Sequence, residues 1–413
     1  MMYYMKENEL AVEEKSLWRN RDYLLLWSGQ AISSFGSQAS HIILPLLILD
    51  ITHSAAQAGF VGAFSVIPYV VLSLFAGSFA DRFNRKKLML FCEIGRAIVS
   101  GSILLAIFFH SISILQIYLV ALFEGIFFVF FDIAEIASIK LIVGNKVSAA
   151  TAQENATDGF ASLFGPSIGT ILYQMNRSLP FLLDTVSYIV SFFSLLSIKT
   201  EFQEERDDSK PNLLKEIKEG ISWLLHHKVL RIMSLLNAGT AFIFSDLILI
   251  LIILAKEQHA TPLEIGTIIS ISGIGSIIGS VIGSKVKKRV SPGQVVLGSC
   301  WVMALLWPLY IFAPNFIFIG LITALLFCIN SIWVVVQISY RLSLVPDELQ
   351  GRVNSVHRFL VYSIIPLGMA MTGVMLQSLG AKTTIFILFF GLLAIAIAGS
   401  FSKELRHAPM VRV

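Results

Sequence analysis

Charge is what this chain has least of. Asp, Glu, Lys and Arg make up 14% of its 413 residues, while 55% are hydrophobic; a soluble globule carries about a quarter charged residues. With a mean hydropathy of +0.76, that shortage excludes a soluble domain and leaves an integral membrane protein. Cysteine is nearly missing as well. Cys92, Cys300 and Cys328 all fall in apolar runs without CxxC spacing, so neither a disulfide framework nor a metal site is indicated. The links between runs hold no nucleophile elbow, no His-x-x-x-x-Asp and no metal-spaced cluster, which argues against an enzyme. A net charge of +4 gives no footing for a nucleic-acid partner. Residues 1–20 lack a cleavable signal pattern, so the first apolar run itself is expected to direct insertion.

What the chain has is apolar length. A membrane-spanning helix needs about twenty mostly apolar residues, and twelve such runs can be counted. The fold class is therefore all-α integral membrane, with twelve transmembrane helices in two six-helix pseudo-symmetric halves. The expected divisions are an N-terminal segment (1–22), a first half (23–199), a linker (200–231), a second half (232–402) and a tail (403–413). Within the linker, Leu213, Leu214, Ile217, Ile221, Leu224 and Leu225 share one helical face, which suits a helix on the membrane surface or one bracing the halves. Lys and Arg set the orientation. Arg82, Arg85, Lys86, Lys87, Lys140, Lys146, Lys285, Lys287, Lys288, Arg289, Arg341 and Arg352 fall in one set of links; Arg177, Lys256 and Lys382 fall in the other. Both termini should lie in the cytoplasm.

Polar residues inside apolar runs are costly, so they face water or other helices. In the first run Gln30, Ser34, Gln38 and His41 follow steps of four, four and three. That spacing places them on one face. In the third run Glu93 and Arg96 stand three apart, near enough to pair on one helix. The fourth run carries Glu124, Asp132 and Glu135 on one stripe, expensive to keep charged without water, a cation or protons. Asp246 is the only acid deep in the second half, and helix 10 places Asn330, Trp333 and Gln337 together. The resulting expectations are a cavity lined by Gln30, Gln38, His41, Asn237, Asn330 and Trp333, with proton coupling at Glu124, Asp132 and Asp246.

The link Gly77-Ser-Phe-Ala-Asp81-Arg82-Phe-Asn84-Arg85-Lys86-Lys87 is too short for anything but a turn between antiparallel helices. It resembles the G-x-L-a-D-r-x-G-r-k signature between the second and third helices of the major facilitator superfamily. Gly77, Asp81, Arg82, Arg85 and Lys86 match; Phe79 replaces Leu, and Asn84 replaces the loop glycine. A degenerate second copy, Gly279-Ser-Val-Ile-Gly283-Ser-Lys285-Val-Lys287-Lys288-Arg289, follows at an offset of 202 residues, as two parallel halves require. Gly165-Pro166-Ser-Ile-Gly169 resembles the family's helix-5 exporter motif, with Ala161 and Thr170 in place of its outer glycines, and marks a bendable, tightly packed helix. Leu-Asp-Ile-Thr-His-Ser54, Leu-Leu-Asp184-Thr-Val-Ser and Val-Pro-Asp-Glu-Leu-Gln-Gly351-Arg352-Val-Asn-Ser look like the macrolide-efflux and siderophore-exporter branch.

That resemblance implies a bacterial inner-membrane exporter of a small amphiphile, drug-like, macrolide or siderophore/peptide. It would work as a monomer by alternating access, driven by the proton gradient and without a cofactor. A lysolipid flippase or a solute importer on the same fold is the alternative reading, and a membrane-embedded enzyme a remote one. Family carry-over gives Gly77, Asp81, Arg82, Arg85, Lys86 and Gly351 a gating role. In it Asp81 meets the N-terminus of helix 11 near Gly351 when the inside is closed. One departure matters: Ala121-Leu-Phe-Glu124-Gly125 lacks the arginine that many drug–proton antiporters carry in helix 4.

Overall fold

The computed structural model describes residues 17–80, 84–200, 202 and 213–410. It is all helix apart from short turns, because in lipid only a helix satisfies every backbone N–H and C=O within its own segment. Among the described residues, ten continuous stretches are long and apolar enough to cross a membrane. Two of them are double-length, 62 and 53 residues, against the twenty or so that one crossing takes. The first divides at the 3-10 turn Gly144–Lys146. The second divides at Gly380, where φ is +79°, left-handed backbone that glycine adopts without penalty. Twelve crossings result.

The crossings are α1 (Arg21–Thr52), α2 (Ala55–Ala80), α3 (Arg85–Phe108), α4 (Ile114–Val143), α5 (Val147–Met175) and α6 (Leu179–Leu196), then α7 (Lys228–Glu257), α8 (Pro262–Val286), α9 (Pro292–Phe312), α10 (Phe316–Leu344), α11 (residues 347–379) and α12 (residues 381–401). α1 is interrupted at Ile42, and α7 between Phe244 and Leu247. Short polar residues start the helices. Asn20, Asn84, Ser113, Thr261, Ser291 and Asn315 each accept a hydrogen bond from a first-turn N–H, occupying donors that would otherwise be orphaned.

With lipid as apolar as leucine, helices associate by close backbone approach. A Cβ on Gly275 would stand 2.0 Å from the Ala324 carbonyl oxygen, and one on Gly279 2.2 Å from that of Cys328. This seals α8 to α10. In the other half Gly125 of α4 meets the Ser65 carbonyl of α2 at 2.3 Å in the same way. The halves meet each other through α2 against α11 and α5 against α8. A six-helix shift exchanges those two contacts, which is the pseudo-symmetry in physical form.

Among the described residues, the start of α1, the segment after α12 and the links around Lys86, Lys140 and Lys287 share one face, here the terminal face. The linker helix (Leu213–His226) braces α11: Gly220 packs on the Arg352 carbonyl, and Arg352 pairs with Glu219. The tail beyond α12 is not a free appendage. Leu405 is buried, and its carbonyl lies against Gly293 of α9.

Candidate functional site

Contacts between the halves gather on the face opposite the termini. A Cβ on Gly59 of α2 would meet the Met369 carbonyl of α11 at 2.6 Å, and the Ala55 N–H donates to Gln377 Oε1 at 2.8 Å. On the other seam Ser167 of α5 bonds Ser270 of α8 at 2.8 Å, and Gly266 lies under Thr170 and the Pro166 carbonyl. Asp50, at the end of α1, accepts from Tyr173 at 2.8 Å and from Lys256 of the other half, with Arg177 at 3.9 Å. Toward the terminal face, Thr151, Asn155 and Asp158 of α5 and Gly351, Ser355 and Arg358 of α11 are exposed instead. Among the described residues, the halves touch on the far side, while these positions of α5 and α11 on the terminal side are exposed.

At mid-depth a polar cluster fills the first half between α1, α3, α4 and α6. Arg96 is its centre. Its Nε lies 3.9 Å from Glu124 Oε2, its Nη2 donates to Ser37 at 3.2 Å, and its guanidinium lies 4.3 Å from the centre of the Tyr188 ring. Tyr188 donates to Glu124 at 3.2 Å and shares a hydrogen bond with Ser37 at 2.9 Å. Glu93 accepts from Ser191 at 2.8 Å and from Gln30 at 3.3 Å, and Asp184 accepts from Ser100 at 3.0 Å. The sequence-based pairing of Glu93 with Arg96 is therefore replaced. The arginine turns to a carboxylate and an aromatic face on other helices, where its planar fork and π surface are both used.

The cavity residues divide. Gln30, expected on the cavity wall, points into the bundle toward Glu93 and Ser191. Gln38 donates to Ser162 of α5 at 3.2 Å, as Ser34 does to Asp158 at 2.9 Å, and His41 is exposed. Trp333 is 1% exposed, and its indole N–H donates to Gln337. It is a packing residue that joins α10 to α7 through the Gln337 bond to the Met233 carbonyl. Asn330 is half-buried. Asn237 meets the ring of His357, which also bonds Ser234 at 2.9 Å. Because the Ser234 hydroxyl donates to the Leu230 carbonyl, the ring carries its proton on Nδ1 and accepts from Asn237 on Nε2. Asp132 faces Arg358 of the other half, and Arg358 bonds Tyr69. Asp246 is buried at the break in α7, with Oδ2 unpartnered; it is remote from the Arg96 cluster in the chain and joins none of its bonds.

Asp81 and Arg82 lie outside the described residues, and Gly77 falls in α2 where only the backbone is described. Arg85 donates to the Ala137 carbonyl of α4 at 3.1 Å, and Lys86 to the Leu196 and Ile198 carbonyls at the end of α6. Both cations thus hold carbonyl oxygens of their own half, where the negative end of a helix favours them. Gly351 is exposed, with no described atom within 4 Å of where a Cβ would stand. Gly165 and Gly169 let α5 lie on α1: their Cβ atoms would meet Gln38 at 2.6 Å and the Ala39 carbonyl at 2.1 Å. Pro166 is buried inside α5. Sequence reasoning used Asp184 only as part of a branch motif and gave no site role to it, Tyr188 or Ser191, although spacings of four and three made them legible as a stripe on α6. His357 and Arg358 stood alone in their segment and gave no such signal.

The family model of the Major Facilitator Superfamily matches residues 26–369. The multidrug efflux pump Tap of Mycolicibacterium fortuitum is 19% identical over 397 residues, covering 94% of this chain and 97% of Tap. Macrolide efflux protein A of Streptococcus pyogenes is 21% identical over 238 residues, 56% of this chain and 58% of that protein. Among solved structures, the nucleoside transporter NupG superposes with a TM-score of 0.78 at 12% identity, covering 94% of this chain and all of NupG. A bacterial homologue of the iron transporter ferroportin, 16% identical in both of its states, superposes at 0.72 inward-facing, over 94% of this chain and 100% of that one, and at 0.60 outward-facing, over 91% and 98%. Two halves that exchange contacts under a six-helix shift, joined by a family match over most of the length, place this chain in the Major Facilitator Superfamily of membrane transporters.

Proposed function

We propose that the protein exports a small amphiphilic molecule, of the drug, macrolide or siderophore class, from a bacterial cytoplasm in exchange for protons. The terminal face is then the cytoplasmic face of the inner membrane, and the arrangement described is the inward-facing state of a monomeric carrier. The cation-rich links on that face support the orientation. The efflux relatives and the Gly165-Pro166-Gly169 packing of α5 on α1 support the direction. Gly77, Asp81, Arg82, Arg85, Lys86 and Gly351 act as the cytoplasmic gate in this reading. His41, Gln38, Asn237 and Asn330 contribute to the substrate path, with Asp132 and Asp246 as secondary acids.

One observation carries the proton exchange. Glu124 is a mid-depth carboxylate, 21% exposed, held by Arg96 and Tyr188. Water reaches it while the terminal side is open, so it exchanges protons with the cytoplasm in this state and is shut away in the other. That difference in access between two states is what coupling requires. A charge moved through about 100 mV supplies roughly 2.3 kcal/mol, enough for on the order of a 50-fold gradient. Inside-out vesicles with ethidium as the probe test the reading. An acid interior should drive ethidium accumulation in wild type, and Glu124→Gln should abolish it while sparing ethidium exchange. Accumulation indifferent to the proton gradient would refute proton exchange, and faster movement of a fluorescent lysolipid would favour a flippase.

A further inference from the structure

The first half buries more acid than it can balance. Glu93 is 0% exposed, Asp184 2% and Arg96 6%, and Glu124 completes the set from α4. The titratable and charged groups that face one another here are Cys92, Glu93 and Arg96 from α3, Glu124 and the partly exposed Glu135 from α4, and Asp184 and Tyr188 from α6. Among the described residues α1 contributes only neutral groups, Gln30, Ser37 and Ser40. One guanidinium, always charged, thus stands among Glu93, Glu124 and Asp184, while Glu135 faces Glu93 and the acids Asp132, Glu154 and Asp158 rather than Arg96.

A buried ion is retained only when an opposite charge and hydrogen bonds to its lone pairs offset desolvation. Glu124 comes nearest to it: Tyr188 donates to Oε2, and Arg96 Nε, itself buried without a hydrogen-bond partner, lies 3.9 Å from the same oxygen as an ion pair. The other two feel Arg96 only from beyond ion-pair distance. Glu93 Oε2 and Asp184 Oδ1 are buried with no hydrogen-bond partner, and each acid makes its bonds through the other oxygen to neutral hydroxyl and amide groups. A carboxylate leaves such an oxygen at great cost; a neutral carboxyl does so cheaply.

We propose that this cluster is a charge-conserving proton store: Arg96 is matched by a single carboxylate at all times, Glu124 in this state, while Glu93 and Asp184 each hold a proton. The inference rests on the proton-coupled reading and extends it to two residues that reading did not use. When Glu124 takes a proton from water, Arg96 loses its partner. Glu93 or Asp184 then releases one proton and becomes the matching carboxylate. One proton enters the cluster and one leaves it, and no charge accumulates. The order along the helices suits this handover, with Asp184 nearer the far face, Arg96 and Glu124 at mid-depth, and Glu93 nearer the terminal face.

The test needs no substrate, so its outcome is independent of whether the protein exports anything. Full-length protein in lipid nanodiscs at about pH 7 is examined by infrared absorption at the C=O stretch of protonated carboxyls. Each variant is compared with wild type. Glu93→Gln and Asp184→Asn should each remove one carboxyl's worth of that band. Glu124→Gln should also remove one, although Glu124 itself is ionised, because another acid must ionise to match Arg96. Arg96→Met should add one, and Asp50→Asn, a half-buried carboxyl paired with Lys256 on the far face, should change nothing. If Arg96→Met fails to fold, the double variant Glu93→Gln/Asp184→Asn serves in its place, removing two carboxyls' worth with thermal stability retained. A band unchanged in both Glu93→Gln and Asp184→Asn, or unchanged in Glu124→Gln, overturns the proposal.

Discussion

Among the described ion pairs, the one between Asp50 and Lys256 joins the halves on the far face, and removing it should let that face open more often. Tyr173 and Arg177 belong to the same half as Asp50, so only the Lys256 contact must break on opening. Two unit charges near contact attract by about 4 kcal/mol at an effective dielectric of 20. Lys256 is 36% exposed and Asp50 22%, so water screens most of this and about 1 kcal/mol remains. At that size Lys256→Gln should raise the outward-open to inward-open ratio about fivefold. Ser270→Cys, on a background with Cys92, Cys300 and Cys328 replaced by alanine, reports the change, because its partner Ser167 covers it when the far side is closed. A membrane-impermeant maleimide applied from the far side should label it about fivefold faster in Lys256→Gln and in Asp50→Asn. The charge-swapped pair should not restore the slow rate, since a lysine at position 50 would face Arg177. Equal labelling in wild type and both single variants would refute the reasoning.

Glu124→Gln should abolish gradient-driven ethidium accumulation in vesicles while leaving the melting temperature within a few degrees of wild type; a large fall in melting temperature would make the Arg96–Glu124 contact structural. Gly169→Ala should lower yield and thermal stability by about 2 kcal/mol or more, because the new Cβ meets the Ala39 carbonyl at 2.1 Å. Gly298→Ala, with open space around it, should be neutral or slightly stabilising as a helix former, and the pair compared by thermal melts separates packing from propensity. Asp81→Asn should slow transport several-fold in vesicle uptake without loss of expression, since a carboxylate at a helix N-terminus contributes about 0.3–2 kcal/mol.

The sequence by itself determined the crossings, the two halves and the side on which cations collect. Those properties are local: about twenty apolar residues in a row can only be a helix in lipid. Even the close approaches at Gly165 and Gly169 were legible, because in lipid a missing side chain has little other use; that at Gly279 was not. What the sequence could not decide was where each polar side chain turns. A glutamine in an apolar run is satisfied equally by a cavity or by the bundle interior, and successive residues rotate by about 100°. Gln30 therefore lay on the predicted face of α1 yet found Glu93 and Ser191, and Trp333 shared its stripe with Gln337 yet closed on it inside the core. Arg96 had an acid one turn away on its own helix and took one from α4 instead, because Tyr188 and Ser37 complete its surroundings there. Only the packing of α1, α3, α4 and α6 against one another brought three carboxyls to one guanidinium, and that imbalance exists nowhere in the order of the residues.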